Sequence, residues 1–297
     1  MQLLPLRELP QKLRLFAKYH LTHQPARGPV ADDELGHALL PFDLAAHYRA
    51  LEHAPARERN ELAVVSYGGV DYPILALAGG AAPPRARARL LVLAGVHGNE
   101  HAGLFAAERL LEEAARPGSV YDHIELCVVS PVNPVGAAHG SRYNGDGRDI
   151  NRDFVRLHTR EGRAVMRAYQ RFRPHCVVSL HEGPQQGTFV FGNSAVDDEL
   201  AERLTRAIAE SGAPLAAHDY FGRTLHPPGY AGQSRATVAL LWLWRQLIGM
   251  AATAELAGRD HVAELTVETP WRLDDAEQRI AAQLAAVRAA AEHLARR

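Results

Sequence analysis

RLLVLAGVHGNE, residues 89 to 100, decides how this chain is read. From Leu90 to Val96 there is no polar side chain, which is too continuous for a strand that shows one face to water. Short unbroken apolar runs of this kind are strands of a parallel sheet, buried on both faces. A charged, Pro-containing loop, AAPPRARAR (81–89), leads in, and an amphipathic stretch from Ala102 to Ala115 leaves as a helix. Working outward, the same alternation repeats. Downstream come the strand IELCVVSPVNP (124–134), a Gly-rich loop from Gly136 to Gly147, a helix near Thr159 to Arg173, the strands CVVSLHE (176–182) and TFVFG (188–192), and a helix from Asp197 to Ser211. A loop rich in Gly and Pro (221–234), a long apolar helix from Arg235 to Leu256, the strand HVAELTVETP (261–270) and a helix from Asp274 to Arg297 complete the chain. Upstream, ELAVVSYGG and VDYPILALAGG (61–80) form a hairpin around a Gly-Gly pair. Before it, helical periodicity covers Leu6 to Leu21 and Asp33 to Glu52. The expectation is an α/β fold, a mixed and largely parallel sheet with helices on both faces, preceded by a helical lead-in over residues 1–56.

Composition narrows the function. The 297 residues carry 33 Lys+Arg against 34 Asp+Glu, a formal charge of -1. That balance argues against a sequence-independent nucleic-acid binder, which needs a basic stripe to displace counterions from phosphates. Cys127 and Cys176 sit inside apolar runs and imply no disulfide framework. The first residues mix charge and proline, unlike a secretory signal, and the longest apolar run, Val238 to Trp244, is well short of the 18 or more residues of a membrane span. The reading is a cytoplasmic protein with neither a nucleic-acid nor a membrane partner. The 16 histidines are the unusual number, and they either share the Arg and Ala bias of the chain or mark metal chemistry.

Polar residues fit for chemistry follow four of the apolar strands or lie on them: His97-Gly98-Asn99-Glu100; Arg142 with Asp149, Asn151 and Arg152; His181-Glu182; and Glu264 with Glu268. In α/β sheets ligands gather at the carboxyl ends of strands. Three H-x-x-E pairs occur. His158/Glu161 opens a helix in polar sequence and reads as solvated surface. His261/Glu264 lies on the last strand, where i and i+3 face opposite sides. His97/Glu100 alone follows a buried strand, and Gly98 between them permits close backbone approach. Catalytic zinc takes three protein ligands and keeps one position for water. His181, at the end of another buried strand, is the best third ligand, while Glu182 points the other way if the strand continues.

Together, HGNE (97–100), NP (133–134), RDINRDF (148–154), SLHE (179–182) and VETP (267–270), in this order, resemble the M14 zinc carboxypeptidase family, whose superfamily also contains aspartoacylase and succinylglutamate desuccinylase. The resemblance covers about residues 61–297, and residues 57–297 are the expected catalytic domain. It implies one zinc ion held by His97, Glu100 and His181, with Asp149 holding the imidazole of His97. It makes Arg142 the residue that polarises the scissile carbonyl, Asn151 and Arg152 the clamp on a substrate carboxylate, and Glu268 the general base and acid. Glu264, of the same parity as Glu268, reads as structural. Tyr230, with Tyr220 behind it, is the candidate for the tyrosine that covers the substrate.

The implied activity is that of a metallopeptidase, a carboxypeptidase-like hydrolase that cleaves an amide next to a substrate carboxylate. The edge hairpin and the single helix left after Glu268 favour this branch, whereas SLHE departs from the D-L-H of the superfamily. The alternatives are an N-acyl amino acid deacylase of the aspartoacylase and succinylglutamate desuccinylase type, an enzyme trimming cell-wall peptides, and a catalytically inactive zinc-binding module. The expected partner is a peptide or N-acyl amino acid with a free carboxylate.

Overall fold

In the computed structural model the described residues are 39–219, 222–233 and 260–297. The helical expectations for Leu6 to Leu21 and Arg235 to Leu256, and the candidate Tyr220, lie outside them.

The described residues build eight strands into one sheet: β1 (Glu58–Tyr67), β2 (Val70–Gly80), β3 (Ala88–Ala94), β4 (Ile124–Ser130), β5 (Cys176–Gly183), β6 (Phe189–Gly192), β7 (Tyr230–Gly232) and β8 (Ala263–Pro270). Their order is β1-β2-β4-β3-β5-β8-β6-β7. The centre, β4-β3-β5-β8, is parallel, while the β1-β2 hairpin adds antiparallel to β4 and β6 adds antiparallel to β8. The mixed, largely parallel sheet read from the sequence is present. β3 owes its central place to its composition: Leu90, Leu91, Val92, Leu93 and Ala94 are all fully buried, because odd and even positions each meet a core.

Six α-helices among the described residues accompany the strands: α1 (Leu44–His53), α2 (His101–Ala114), α3 (Pro134–His139), α4 (Arg160–Phe172), α5 (Asp198–Glu210) and α6 (Ala276–Ala295). One face of the sheet packs Leu90, Val92, Val128, Val178, Leu180 and Val267 against Leu104, Leu110, Leu204, Ile280 and Leu284 of α2, α5 and α6. The other packs Leu91, Leu93, Val129 and Val177 against Ala164, Val165 and Tyr169 of α4. Cys127 and Cys176 are buried free thiols, as expected.

Three local expectations are corrected. The helix predicted from Asp33 begins at Leu44 in the described chain, because Asp43 is an extended N-cap whose carboxylate accepts from the Ala45 amide. The Gly-rich loop starting at Gly136 instead begins inside α3, where Pro134 occupies the first helical turn and the Asn133 side chain accepts from the Gly136 amide. His261 precedes β8 in a turn at φ 55 rather than lying on the strand, so His261 and Glu264 do not share an element.

Candidate metal centre

β3 ends at Ala94, and Gly95 takes a positive φ of 70 to turn the chain out of the sheet. His97 follows at the carboxyl end of the strand, and Glu100 stands at the N-cap of α2. Gly98 lies against α3 so closely that a Cβ there would overlap the Gly136 carbonyl carbon and the Ala137 nitrogen. The sequence shows that Gly98 allows a close approach; the structure identifies α3 as what approaches. β5 runs beside β3 and presents His181.

These three residues converge. Nδ1 of His97 is 2.6 Å from Oε1 of Glu100, Nδ1 of His181 is 2.8 Å from Oε2 of the same carboxylate, and the two Nδ1 atoms are 3.1 Å apart. One ligand atom from each lies within 4.8 Å of the others, and all three residues are buried. On the outer side of each ring, Nε2 of His97 is 3.3 Å from Oδ1 of Asp149, and Nε2 of His181 is 3.0 Å from Oγ of Ser179. An ionised carboxylate can only accept, so the His97 proton belongs on Nε2. Two ring nitrogens 3.1 Å apart cannot both aim hydrogens into the space between them, and Glu100 has none to give. One cation satisfies all three inward-facing groups, so the donor set fits a metal ion.

Electrostatics agree. Burial pushes the Glu100 carboxyl up, but the imidazoles of His97 and His181 outweigh it and hold the group well below the usual carboxylate range. Asp149 is likewise pushed up by burial and held far down by Arg142 and His97. Burial lowers His181 below the ordinary imidazole value, against the pull of Glu100, which favours the neutral ring that a metal needs.

Asp149 joins the cluster to the arginine. Its Oδ2 accepts from Nε of Arg142 at 3.0 Å and lies 2.9 Å from Nη2, while Nη1 of Arg142 turns inward, 3.3 Å from Nδ1 of His97 and 3.9 Å from Oε1 of Glu100. Asn133 supports this from behind, its amide donating to the Arg142 carbonyl at 3.3 Å. Asn151 and Arg152 follow on a short 3₁₀ turn capped by Asp149, whose Oδ1 accepts from the Asn151 amide. Glu268 pairs in register with His181 on the neighbouring parallel strand, so both side chains leave the same face of the sheet. Its backbone carbonyl accepts from Nε2 of Gln185 at 2.9 Å.

Other candidates lie elsewhere. Glu264 is buried four residues earlier on β8, its carboxylate accepting from Oγ1 of Thr266. Tyr230 is not brought to the cluster. Its ring lies across Gly192, and burial together with Glu264, Asp198 and Asp197 pushes its hydroxyl up to about 12. The solvated-surface reading holds for His158, which is exposed, and is corrected for Glu161, which is 1% exposed and accepts from the Asn144 side-chain amide, because the loop carrying Arg142 to Arg152 folds over the start of α4.

Sequence reasoning missed Ser179, although its position two residues before His181 on the same strand face was a usable signal. It also missed Asn144, whose Oδ1 accepts from the Asp146 and Arg148 amides, and no local pattern announces that role.

The sequence profile of the family described as the Succinylglutamate desuccinylase/Aspartoacylase catalytic domain matches residues 86–216. Carboxypeptidase 2 of Trichophyton tonsurans is 30% identical over 104 residues, which are 34% of this chain and 19% of that protein. Murein peptide amidase A of Escherichia coli is 36% identical over 86 residues, 29% of this chain and 34% of that protein, so the matched segments span only 19% and 34% of these two relatives' length. The metallo-carboxypeptidase of Pseudomonas aeruginosa, solved in complex with (2-guanidinoethylmercapto)succinic acid, shares the fold, with a TM-score of 0.58 at 21% identity over 86% of this chain and 70% of its own. With the ordered motifs and the convergent His97, Glu100 and His181, these likenesses give residues 86–216 the profile of a succinylglutamate desuccinylase/aspartoacylase catalytic domain, set within a fold shared with metallo-carboxypeptidases.

Proposed function

We propose that the protein is a zinc-dependent hydrolase that cleaves an amide bond beside a substrate carboxylate, most simply the C-terminal residue of a peptide. The observation that carries this reading is the convergence of His97, Glu100 and His181 with Glu268 in register on the adjacent strand. Two imidazoles and one carboxylate form a donor set used by catalytic zinc. Bound there, zinc lowers the pKa of a coordinated water to about 7 and polarises the carbonyl.

The protein's own groups do the rest. Glu268 takes the proton of the attacking water as its oxygen bonds to the carbonyl carbon, and returns it to the nitrogen as the C–N bond breaks, leaving a carboxylate and an amine. Arg142 is already aligned by Asp149 with Nη1 facing the cluster, so it donates to the developing oxyanion without reorganising, a contribution of about 3–4 kcal/mol for one such donor. Arg152 offers a planar fork for two parallel bonds to a carboxylate, and Asn151 beside it donates as well. Residues 57–297 form the catalytic unit on this reading. Tyr230, placed over Gly192, has no part in it.

A second reading, an N-acyl amino acid deacylase, draws support from the family profile over 86–216. The cell-wall branch draws support from the likeness to murein peptide amidase A. The test is a panel of C-terminally varied dipeptides, N-acyl amino acids and muropeptides, each with and without chelator. Chelator-sensitive release of a C-terminal amino acid is expected. The Glu268→Gln variant should keep its zinc and lose at least about a hundredfold in kcat, as expected when a general base is removed; parental turnover in that variant would sink the mechanism. Activity confined to N-acyl amino acids would select the second reading.

A further inference from the structure

Five of the six α-helices among the described residues begin with a side chain that accepts a hydrogen bond from the first turn: Asp43, Asn133, Thr159, Asp197 and Asp275. α2 is the exception. Its N-cap residue is Glu100, and that carboxylate makes no capping bond because both of its oxygens face imidazoles. The start of α2 is buried, so water cannot easily satisfy its amides. The acceptor comes from the sheet: Oε2 of Glu182 accepts from the Ala102 amide at 3.0 Å.

Glu182 follows His181 on β5, so the two side chains leave opposite faces. His181 reaches the cluster and Glu182 reaches beneath α2. The other oxygen of Glu182 accepts from Nη1 of Arg279 at 2.8 Å, and Arg279 also donates to the Trp271 carbonyl. One turn further along α6, Nε2 of Gln283 donates to the carbonyl of His181 at 3.1 Å. Glu182, Arg279 and Gln283 are 2%, 2% and 0% exposed. A buried ion pair contributes little net stability, since desolvation offsets attraction. Its geometry is the more informative property.

We propose that Glu182, held by Arg279, is a positioning residue for the metal centre: it caps α2 in place of Glu100, leaving the Glu100 carboxylate to the imidazoles, while Gln283 fixes the β5 backbone that presents His181. The inference rests on the metal-binding reading above. One helix start, one strand end and the terminal helix are thereby tied together by α6, a segment that carries no metal ligand.

The test uses the full chain and zinc, with affinity read by competition against a chromogenic chelator. The Glu182→Met/Arg279→Met variant removes both charges together, so it leaves no stranded charge in the core. Its metal-free form should keep the parental thermal midpoint within a few degrees and bind zinc about tenfold more weakly or worse, in the range for lost outer-shell partners. The Glu182→Gln/Arg279→Met variant keeps an acceptor for the Ala102 amide and should recover most of that loss. A purely structural role would instead lower the metal-free midpoint and leave zinc affinity unchanged. Parental affinity in the folded Met/Met variant, or no recovery in the Gln/Met variant, overturns the proposal. Should the Met/Met variant not fold, Gln283→Leu decides: a severalfold loss of affinity supports the proposal and parental affinity overturns it. A parental chain that binds no zinc refutes the metal reading itself.

Discussion

Asp149 serves two masters at the residue scale, with one oxygen on the ring of His97 and the other on the guanidinium of Arg142. On the proposed function, replacing Asp149 with Asn therefore disturbs the orientation of His97 and of Arg142, the proposed ligand and oxyanion donor, together. Zinc affinity should fall about 10–100-fold, and kcat should fall further at saturating zinc because Arg142 loses its alignment. A variant that loses affinity but keeps the parental kcat once loaded would separate the two roles. The same carboxylates set the acid limit of the metal-free protein. Glu100 and Asp149 both titrate below their unfolded values, so their stabilisation is complete above the unfolded carboxylate range, near about pH 4, and is lost as pH falls through the lower folded values. Thermal midpoints of the chelated protein should drop steeply below about pH 4, and the drop should be shallower in Glu100→Gln. Residues at this scale were legible in sequence where the chemistry is local: HGNE and SLHE place the candidate ligands beside strand ends. Glu161 was not, because polar neighbours in sequence hide a partner, Asn144, that only the folded loop delivers.

At the scale of elements, the site depends on how closely two segments can meet. The loop between β3 and α2 meets α3 where Gly98 faces Gly136, and the contact is backbone against backbone, so no flexible side chain can yield. Gly98→Ala should cost about 3 kcal/mol in urea unfolding, the upper range for overpacking, and should displace His97 and Glu100 enough to weaken zinc. Gly118→Ala is the control. It has a positive φ, 79, which Gly98 lacks, and a Cβ there meets nothing within 4 Å, so only backbone strain of about 1 kcal/mol is expected. Equal losses in the two variants would mean that close approach is not what Gly98 provides. The sequence showed β3 through its unbroken apolar run and β5 and β8 as further strands, and placed α4, α5 and α6 to within a residue or two. α3 was read as loop because glycine weakens a helical pattern, and the reason for Gly136, contact with the Asn133 side chain and the Ser141 carbonyl, is tertiary.

At the scale of the molecule, the candidate metal centre sits at the carboxyl ends of β3 and β5, at the margin of the two cores. The two hydrophobic clusters close around β3, β4 and β5 on opposite faces of the sheet, while His97 and Glu100 follow the end of β3 rather than lying on it. Strand order explains how one site draws on distant sequence: β5 lies between β3 and β8, so residues 97, 181 and 268 share a single edge although the chain separates them widely. That edge could be anticipated from the alternation of strands and helices, but the order of the strands along it could not, since no single strand encodes its neighbours. A fold whose core is independent of the ion should survive its removal, unlike a small domain that folds only with metal. Chelated protein should therefore keep its far-ultraviolet circular dichroism and unfold cooperatively. Zinc at a hundred times its dissociation constant should then add about 2.7 kcal/mol to the unfolding free energy, which at about 2–4 °C per kcal/mol raises the thermal midpoint by about 5–10 °C. Loss of secondary structure on chelation would contradict this separation and make the centre part of the folding core, because an ion needed for the fold cannot be withdrawn from a rim that the core does not require.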